Sequence, residues 1–304
     1  MGLQILGMGH AVPKQVVTND DLAKLVDTSD EWIVTRTGIH TRHLAKEENN
    51  TSLALMATQE AIERAGIDVS TIGVCIVATI SPDQLIPAEA CLIAGKLGLP
   101  SDTFCFDLNA ACSGFIYSLS IANALLATKP DRCALVIGAE VLSRLLDMSD
   151  RNTCVLFGDG AGAAVVRQSS NHPFYFTGGC RPDETSLTCA MQNPVIRMDG
   201  KAVFRFAVEI VPECIEKVLQ QNGLTMDDID AVVCHQANKR IIEGAIRRLN
   251  ADPNKFFMNL QHYGNTSSAS IPLALYELSA KPGAKIIAVG FGGGLTYGAA
   301  LITL

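Results

Sequence analysis

The second half of this 304-residue chain repeats the first element by element, and that repetition constrains the fold more than any single motif. Residues 61–79 (AIERAGIDVSTIGVCIVAT) read as a helix end, a glycine turn, an acidic loop and a strand, and residues 214–236 (CIEKVLQQNGLTMDDIDAVVCHQ) read the same way. Residues 106–138 then give strand, small-residue turn, apolar helix, a Lys129-Pro130 break and strand. Residues 257–290 follow in that order, including Lys281-Pro282. Each half closes on a glycine turn and a small-residue strand, FGDGAG at 157–162 before AAVV and FGGG at 291–294 before 298–303. The spacing from Cys112 to Gly138 nearly equals that from Asn265 to Gly290, which lays the Asn265 turn over the Cys112 turn. The halves are read as 1–168 and 169–304. Such a unit places matching elements about a pseudo-two-fold axis, so that strand-to-helix turns of both halves converge.

Short β-branched runs (Val74–Thr79, Phe104–Asn109, Ala134–Ile137, Ala231–Cys234, Lys285–Gly290) alternate with helical patterns at Ser52–Ala65, Ala88–Leu97 and Gly114–Thr128. This is layered α/β architecture with well-buried sheets. Gly66 and Gly98 stand where a helix end calls for a left-handed residue. Hydrophobic residues make up 48% and charged residues 18%, enough for a large core. With 24 basic and 31 acidic side chains the net charge is −7, and no long run of either sign occurs; this argues against nucleic acid as a partner and leaves room only for a local basic patch.

The ten cysteines are scattered and form no C-x-x-C pair, so no structural metal is expected. Without a cleavable signal pattern at the start, they read as reduced thiols in a cytoplasm. No window has membrane-span character, and no membrane partner is expected.

Cys112 follows an apolar strand and opens a helix among tiny neighbours (Ala110, Ala111, Ser113, Gly114), which lets a ligand approach. A helix N-terminus favours the thiolate, the nucleophilic form, whereas burial favours the thiol. Most buried cysteines are inert small hydrophobes, as expected for Cys75, Cys91, Cys105, Cys133, Cys154 and Cys234. His235 ends the strand Ala231–Cys234; a lone histidine there is more often a satisfied polar residue than a catalyst. Asn265, in HYGNTSSAS, reads on its own as a helix N-cap beside Gly264. Together, at matching turns, they make a Cys/His/Asn constellation. His262 reads as surface or helix-entry polarity.

Six motifs in order carry a resemblance over nearly the whole chain: DEWIVTRTGI (Asp30–Ile39), DLNAACSGF (Asp107–Phe115), FGDGAGA (Phe157–Ala163), HQANKRI (His235–Ile241), GNTSSASIP (Gly264–Pro272) and FGGGLTYG (Phe291–Gly298). The chain resembles the β-ketoacyl-acyl carrier protein synthase III family, the initiating condensing enzymes of dissociated fatty-acid synthesis within the thiolase-like superfamily. The resemblance implies a thiolase-like five-layered αβαβα fold built from two duplicated halves, a homodimer, and catalysis by Cys112, His235 and Asn265. It implies decarboxylative condensation of an acyl-CoA primer with malonyl-acyl carrier protein through acyl-Cys112, with no cofactor. The Cys112 and Gly293 N–H groups would form the oxyanion hole.

By the same resemblance, Thr28, Trp32, Arg36, Arg151 and Asn238 hold coenzyme A. Arg205, Arg240, Arg247 and Arg248 receive the acidic carrier protein. For the last three the residues alone show only a basic helix face, opposite Ile242, Ala245, Ile246 and Leu249, which solvent would equally explain. Two other readings stand beside this one: a related condensing enzyme of polyketide or quinolone type, and a non-catalytic nucleotide-binding protein using FGDGAGA and FGGGLTYG as phosphate loops. The latter lacks both the Rossmann spacing and a Walker lysine.

Overall fold

The computed structural model describes residues 2–304. Five strands, β1 (Gly2–Ala11), β2 (Ile72–Ala78), β3 (Phe104–Leu108), β4 (Cys133–Glu140) and β5 (Gly160–Ser169), make a sheet in the order β3-β2-β4-β5-β1. Five more, β6 (Tyr175–Cys180), β7 (Ala231–Cys234), β8 (Phe256–Phe257), β9 (Lys285–Gly292) and β10 (Thr296–Thr303), make a second in the order β8-β7-β9-β10-β6. In each, three parallel strands are followed by two antiparallel ones. Every strand of the first sheet thus has its counterpart five places later, and a single parallel bridge, Gln4 to Thr303, joins the sheets.

The helices repeat likewise. Helices α1 (Asn50–Ala65) and α2 (Glu89–Leu97) cover the outer face of the first sheet, and α3 (Gly114–Leu126) its inner face. Helices α4 (Gly200–Asn222) and α5 (Lys239–Leu249) cover the outer face of the second sheet, and α6 (Ser270–Glu277) lies with α3 between the sheets. The result is five layers, αβαβα. Helices α1 and α4 both end on a left-handed glycine, Gly66 (φ 62°) and Gly223 (φ 63°), a conformation that costs a side-chain-bearing residue.

Burial follows the layers. Ile76, Val136, Phe115 and Leu119 meet Val233, Ile286, Ala288 and Ile271 between the sheets, while Leu53 and Ala57 of α1 cluster with Val77 and Ile137, and Ile210 and Ile215 of α4 with Val232 and Ile287. Strands buried on both faces are read from sequence as unbroken apolar runs, which is why β2, β4, β7 and β9 were visible there. The residues after β6 form a hairpin of Leu187–Ala190 and Asn193–Met198, largely exposed.

Candidate active site

Two strand-to-helix turns meet at the seam of the halves. The first is the tight turn Ala111–Ser113 before α3, with Ala111 at φ 46°; the second is Ser267–Ala269 before α6, with Ser267 at φ 48°. Each follows an asparagine whose Oδ1 accepts an N–H two residues on, Asn109 from Ala111 at 3.3 Å and Asn265 from Ser267 at 2.9 Å. The geometric twin of Asn265 is therefore Asn109, and the twin of Cys112 is Ser268. The equal spacing in sequence paired Asn265 with Cys112 because α6 is shorter than α3, which offsets the register of the two turns.

Non-glycine residues in the left-handed region cost about 1–3 kcal/mol and persist only when surroundings hold them. Here β9 and β4 do so. A Cβ on Gly292 would sit 2.7 Å from the Cys112 backbone nitrogen, and one on Gly138 would collide with the Ser268 carbonyl oxygen. Thr296 Oγ1 ties the Cys112 turn to the glycine turn, lying within hydrogen-bond distance of Ser113 Oγ (3.2 Å), the Ala110 carbonyl (3.1 Å) and the Gly293 carbonyl (3.3 Å).

Cys112, His235 and Asn265 are 5%, 2% and 8% exposed and line a single cavity of about 1080 Å³. Burial pushes the Cys112 thiol up to about 12. Burial also pulls His235 down to about 3, so its imidazole is neutral. His235 Nδ1 lies 2.6 Å from Ser270 Oγ, which in turn accepts the Gln236 N–H at 3.4 Å. With no other acceptor in reach among the described residues, the Ser270 proton points at Nδ1 and leaves Nε2 as an N–H donor. The Asn265 backbone is pinned by Leu156 (2.8 Å) and Gly158 (3.0 Å), and since its Oδ1 accepts the Ser267 N–H, its NH₂ is left for the cavity.

Cys112 also borders a second cavity, of about 550 Å³, with Ile80, Leu142, Leu145, Phe157, Leu187 and Ile196 among its walls; Gly293 faces it too. At the mouth of the larger cavity, the guanidinium groups of Arg36 and Arg151 lie 4.4 and 4.9 Å from the Trp32 ring centroid. Asn238 caps α5 and gives a hydrogen bond to the Arg36 carbonyl at 3.0 Å. Thr28 is not among the lining residues; its hydroxyl is buried without a partner.

Arg205, Arg240, Arg247 and Arg248 are exposed on α4 and α5, Arg205 and Arg240 at the cavity rim and Arg248 3.6 Å from Glu213. His262 is exposed at the end of a short helix. The glycines of FGDGAGA pack between the halves: a Cβ on Gly162 would sit 2.7 Å from Pro272, so they serve chain packing, where the nucleotide reading had them cradle phosphate.

Sequence reasoning missed Glu140, Ser267, Ser270, Gly292 and Thr296. Small polar residues and glycines carry no periodic signal, and Glu140, Ser270, Gly292 and Thr296 act on partners far along the chain. Among the described residues no cluster of His, Cys, Asp and Glu could hold a metal ion, and no helix is long and apolar enough to cross a membrane.

Residues 106–177 match the family model for 3-oxoacyl-[acyl-carrier-protein] synthase III, and residues 219–304 match the model for its C-terminal part. A relative from Clostridium acetobutylicum named beta-ketoacyl-[acyl-carrier-protein] synthase III is 45% identical over 319 residues, covering 99% of this chain and 98% of the relative. One of the same name from Acholeplasma laidlawii is 45% identical over 307 residues with the same coverage. The crystal structure of 3-oxoacyl-[acyl-carrier-protein] synthase III from Aquifex aeolicus superposes with a TM-score of 0.96 at 42% identity, covering all of both chains.

Proposed function

The chain belongs to the β-ketoacyl-acyl carrier protein synthase III family, and from that premise we propose the part each of its residues takes. It is a condensing enzyme, an acyltransferase that initiates fatty-acid synthesis. The observation that carries the assignment is that Cys112, His235 and Asn265, from three separate turns, line one cavity.

In the first half-reaction Cys112 Sγ attacks the thioester carbonyl of an acyl-CoA, its proton passes to the departing coenzyme A thiolate, and acyl-Cys112 remains. The thiol is protonated at rest, so proton loss accompanies attack. The tetrahedral oxyanion is held by the N–H groups of Cys112 and Gly293; the bare backbone at Gly292 lets β9 come this close.

In the second half-reaction malonyl-acyl carrier protein loses carbon dioxide, and the electron pair of the broken C–C bond becomes an enolate. The Nε2–H of His235 and the NH₂ of Asn265 donate to that oxygen. Both are neutral donors, already aimed, and loss of one such donor typically costs about 100- to 1,000-fold in rate. The carbanion then forms a bond to the acyl carbon and Cys112 leaves as thiolate, which takes a proton from solvent. All the steps are carried by the chain's own groups with no cofactor.

Trp32, Arg36, Arg151 and Asn238, with Thr28 beside them, hold coenzyme A at the mouth of the larger cavity, and the apolar cavity beyond Cys112 takes the acyl chain. Arg205, Arg240, Arg247 and Arg248 receive the acidic carrier protein, a local cationic face on a chain of net charge −7. We read the chain as two units, 1–168 and 169–304, and as a homodimer formed on the first sheet. Its edge strand β3 is unpaired on one side, with Phe104 47% exposed and Leu85 (70%) and Ile86 (87%) near it. All ten cysteines are free thiols, which suits a cytoplasmic location.

Intact mass of the protein after mixing with acetyl-CoA and with longer or branched acyl-CoAs tests this directly. An acyl adduct that C112A abolishes is expected; no adduct with any primer would overturn the assignment.

A further inference from the structure

One ionisable group at the seam that this mechanism does not use is Glu140, the last residue of β4, which is wholly buried. Its Oε2 receives the hydroxyls of Ser81 at 2.6 Å and Thr79 at 3.2 Å and the Ile80 N–H at 3.1 Å. Ser81 Oγ takes the Val141 N–H at 2.9 Å and Thr79 Oγ1 takes the Ser81 N–H at 3.1 Å, and among the described residues neither hydroxyl has an acceptor in reach other than Glu140, so both protons point at it.

Oε1 differs. It shares the Ile80 N–H at 3.3 Å and lies 2.9 Å from Ser268 Oγ, and Ser268 Oγ lies 2.7 Å from the Ala78 carbonyl oxygen. A serine hydroxyl has one proton, and a carbonyl oxygen has none to give. Both contacts are full hydrogen bonds, with no proton shared between two acceptors, only if a proton sits on Glu140: Oε1–H then donates to Ser268, and Ser268 donates to Ala78. None of the groups bonded to Glu140 is cationic. Burial raises the pKa of this carboxyl, in the same direction.

We propose that Glu140 is a positioning residue, uncharged in the resting enzyme, whose hydrogen bond to Ser268 fixes the turn that presents Asn265 to the cavity. Ser268 follows Ser267, whose left-handed backbone needs outside support and whose N–H holds the side-chain Oδ1 of Asn265 at 2.9 Å. The Glu140–Ser268–Ala78 chain supplies that support from the opposite half. A neutral Glu140 also keeps a fixed negative charge away from a site where both a thiolate and an enolate must form. The role in turnover rests on the functional reading above; the protonation state does not.

Glutamine is the nearest uncharged mimic of the proposed state, its carbonyl in place of Oε2 and its NH₂, with one proton more, in place of Oε1–H. Infrared difference spectra of the wild type against E140Q at neutral pH should show a protonated-carboxyl C=O stretch lost in the variant. Acylation of Cys112 by acetyl-CoA and malonyl decarboxylation by the acyl-enzyme are then timed separately. E140A should slow decarboxylation at least about tenfold more than acylation; S268A should give the same split, and E140Q should restore both rates to within about threefold of wild type.

Absence of the infrared band, or E140Q as slow as E140A, overturns the proposal, as does equal slowing of both half-reactions in S268A. Should E140A fail to fold, the E140Q spectrum and the S268A rates decide. A wild-type enzyme that forms no acyl-Cys112 would instead remove the functional reading, while the infrared band would still report on Glu140.

Discussion

Ser270 Oγ lies 2.6 Å from Nδ1 of His235 and sits at the first position of α6, so the second half's central helix sets the tautomer of the imidazole at the end of β7. Replacing Ser270 by alanine frees Nδ1 to take the proton and removes the preference for Nε2–H. In S270A, malonyl decarboxylation should fall roughly tenfold, while Cys112 acylation stays within about threefold, read as released carbon dioxide and as intact mass. Equal loss in both half-reactions would mean that Ser270 only packs.

Gly292 is extended (φ −171°), so a side chain there is refused by space alone. The new Cβ would meet the Cys112 nitrogen at 2.7 Å and the Cys112 Cβ at 3.0 Å, neither on a flexible side chain. The Cys112 turn must move, and displacement of about 1 Å at a reacting group can cost about 100-fold. G292A is expected to lose at least that factor in the rate of Cys112 acylation; a variant acylated at the wild-type rate would refute the close approach of β9.

The buried Cys112 thiol, raised to about 12, has a thiolate fraction that grows tenfold per pH unit anywhere well below that value. Alkylation of Cys112 by iodoacetamide should therefore rise about tenfold per unit from about pH 6 to 9, without a plateau. His235, held near 3, does not titrate in that window and should leave no inflection. A plateau near neutrality would show the helix N-terminus outweighing burial.

Arg248 is balanced by Glu213, whereas Arg247 stands exposed without an ion pair among the described residues. Charge reversal in R247E should raise KM for malonyl-acyl carrier protein about tenfold with kcat and the acyl-CoA KM unchanged, and added salt should raise the wild-type KM in the same sense. A salt-independent KM would place the carrier protein elsewhere.

Much of this was legible in the chain. β2, β4, β7 and β9 are buried on both faces and write themselves as apolar runs; Gly66 marks the end of α1. Cys112, His235 and Asn265 drew notice because each sits where a strand or turn gives way to a helix. Ser268, Glu140 and Thr296 did not, since what they do depends on atoms more than a hundred residues away: Glu140 reaches Ser268, and Thr296 reaches Ala110. The register of the repeat was misread for a related reason. A helix shortened inside a duplicated unit leaves residue counts nearly intact while moving Asn265 from the place of Cys112 to the place of Asn109.

Glu140 and Gly292 close equivalent strands, each two residues beyond a glycine that packs on a turn, Gly138 on Ser268 and Gly290 on Cys112. The bare backbone of Gly292 lies against the Cys112 turn, which borders both cavities, whereas Glu140 reaches the sealed Ser268 turn, so one acyl group per chain is the expected stoichiometry. The pressures on the two turns part as well. Substitutions around Cys112 are screened by what enters from solvent, and those around Ser268 by a fit sealed inside the protein.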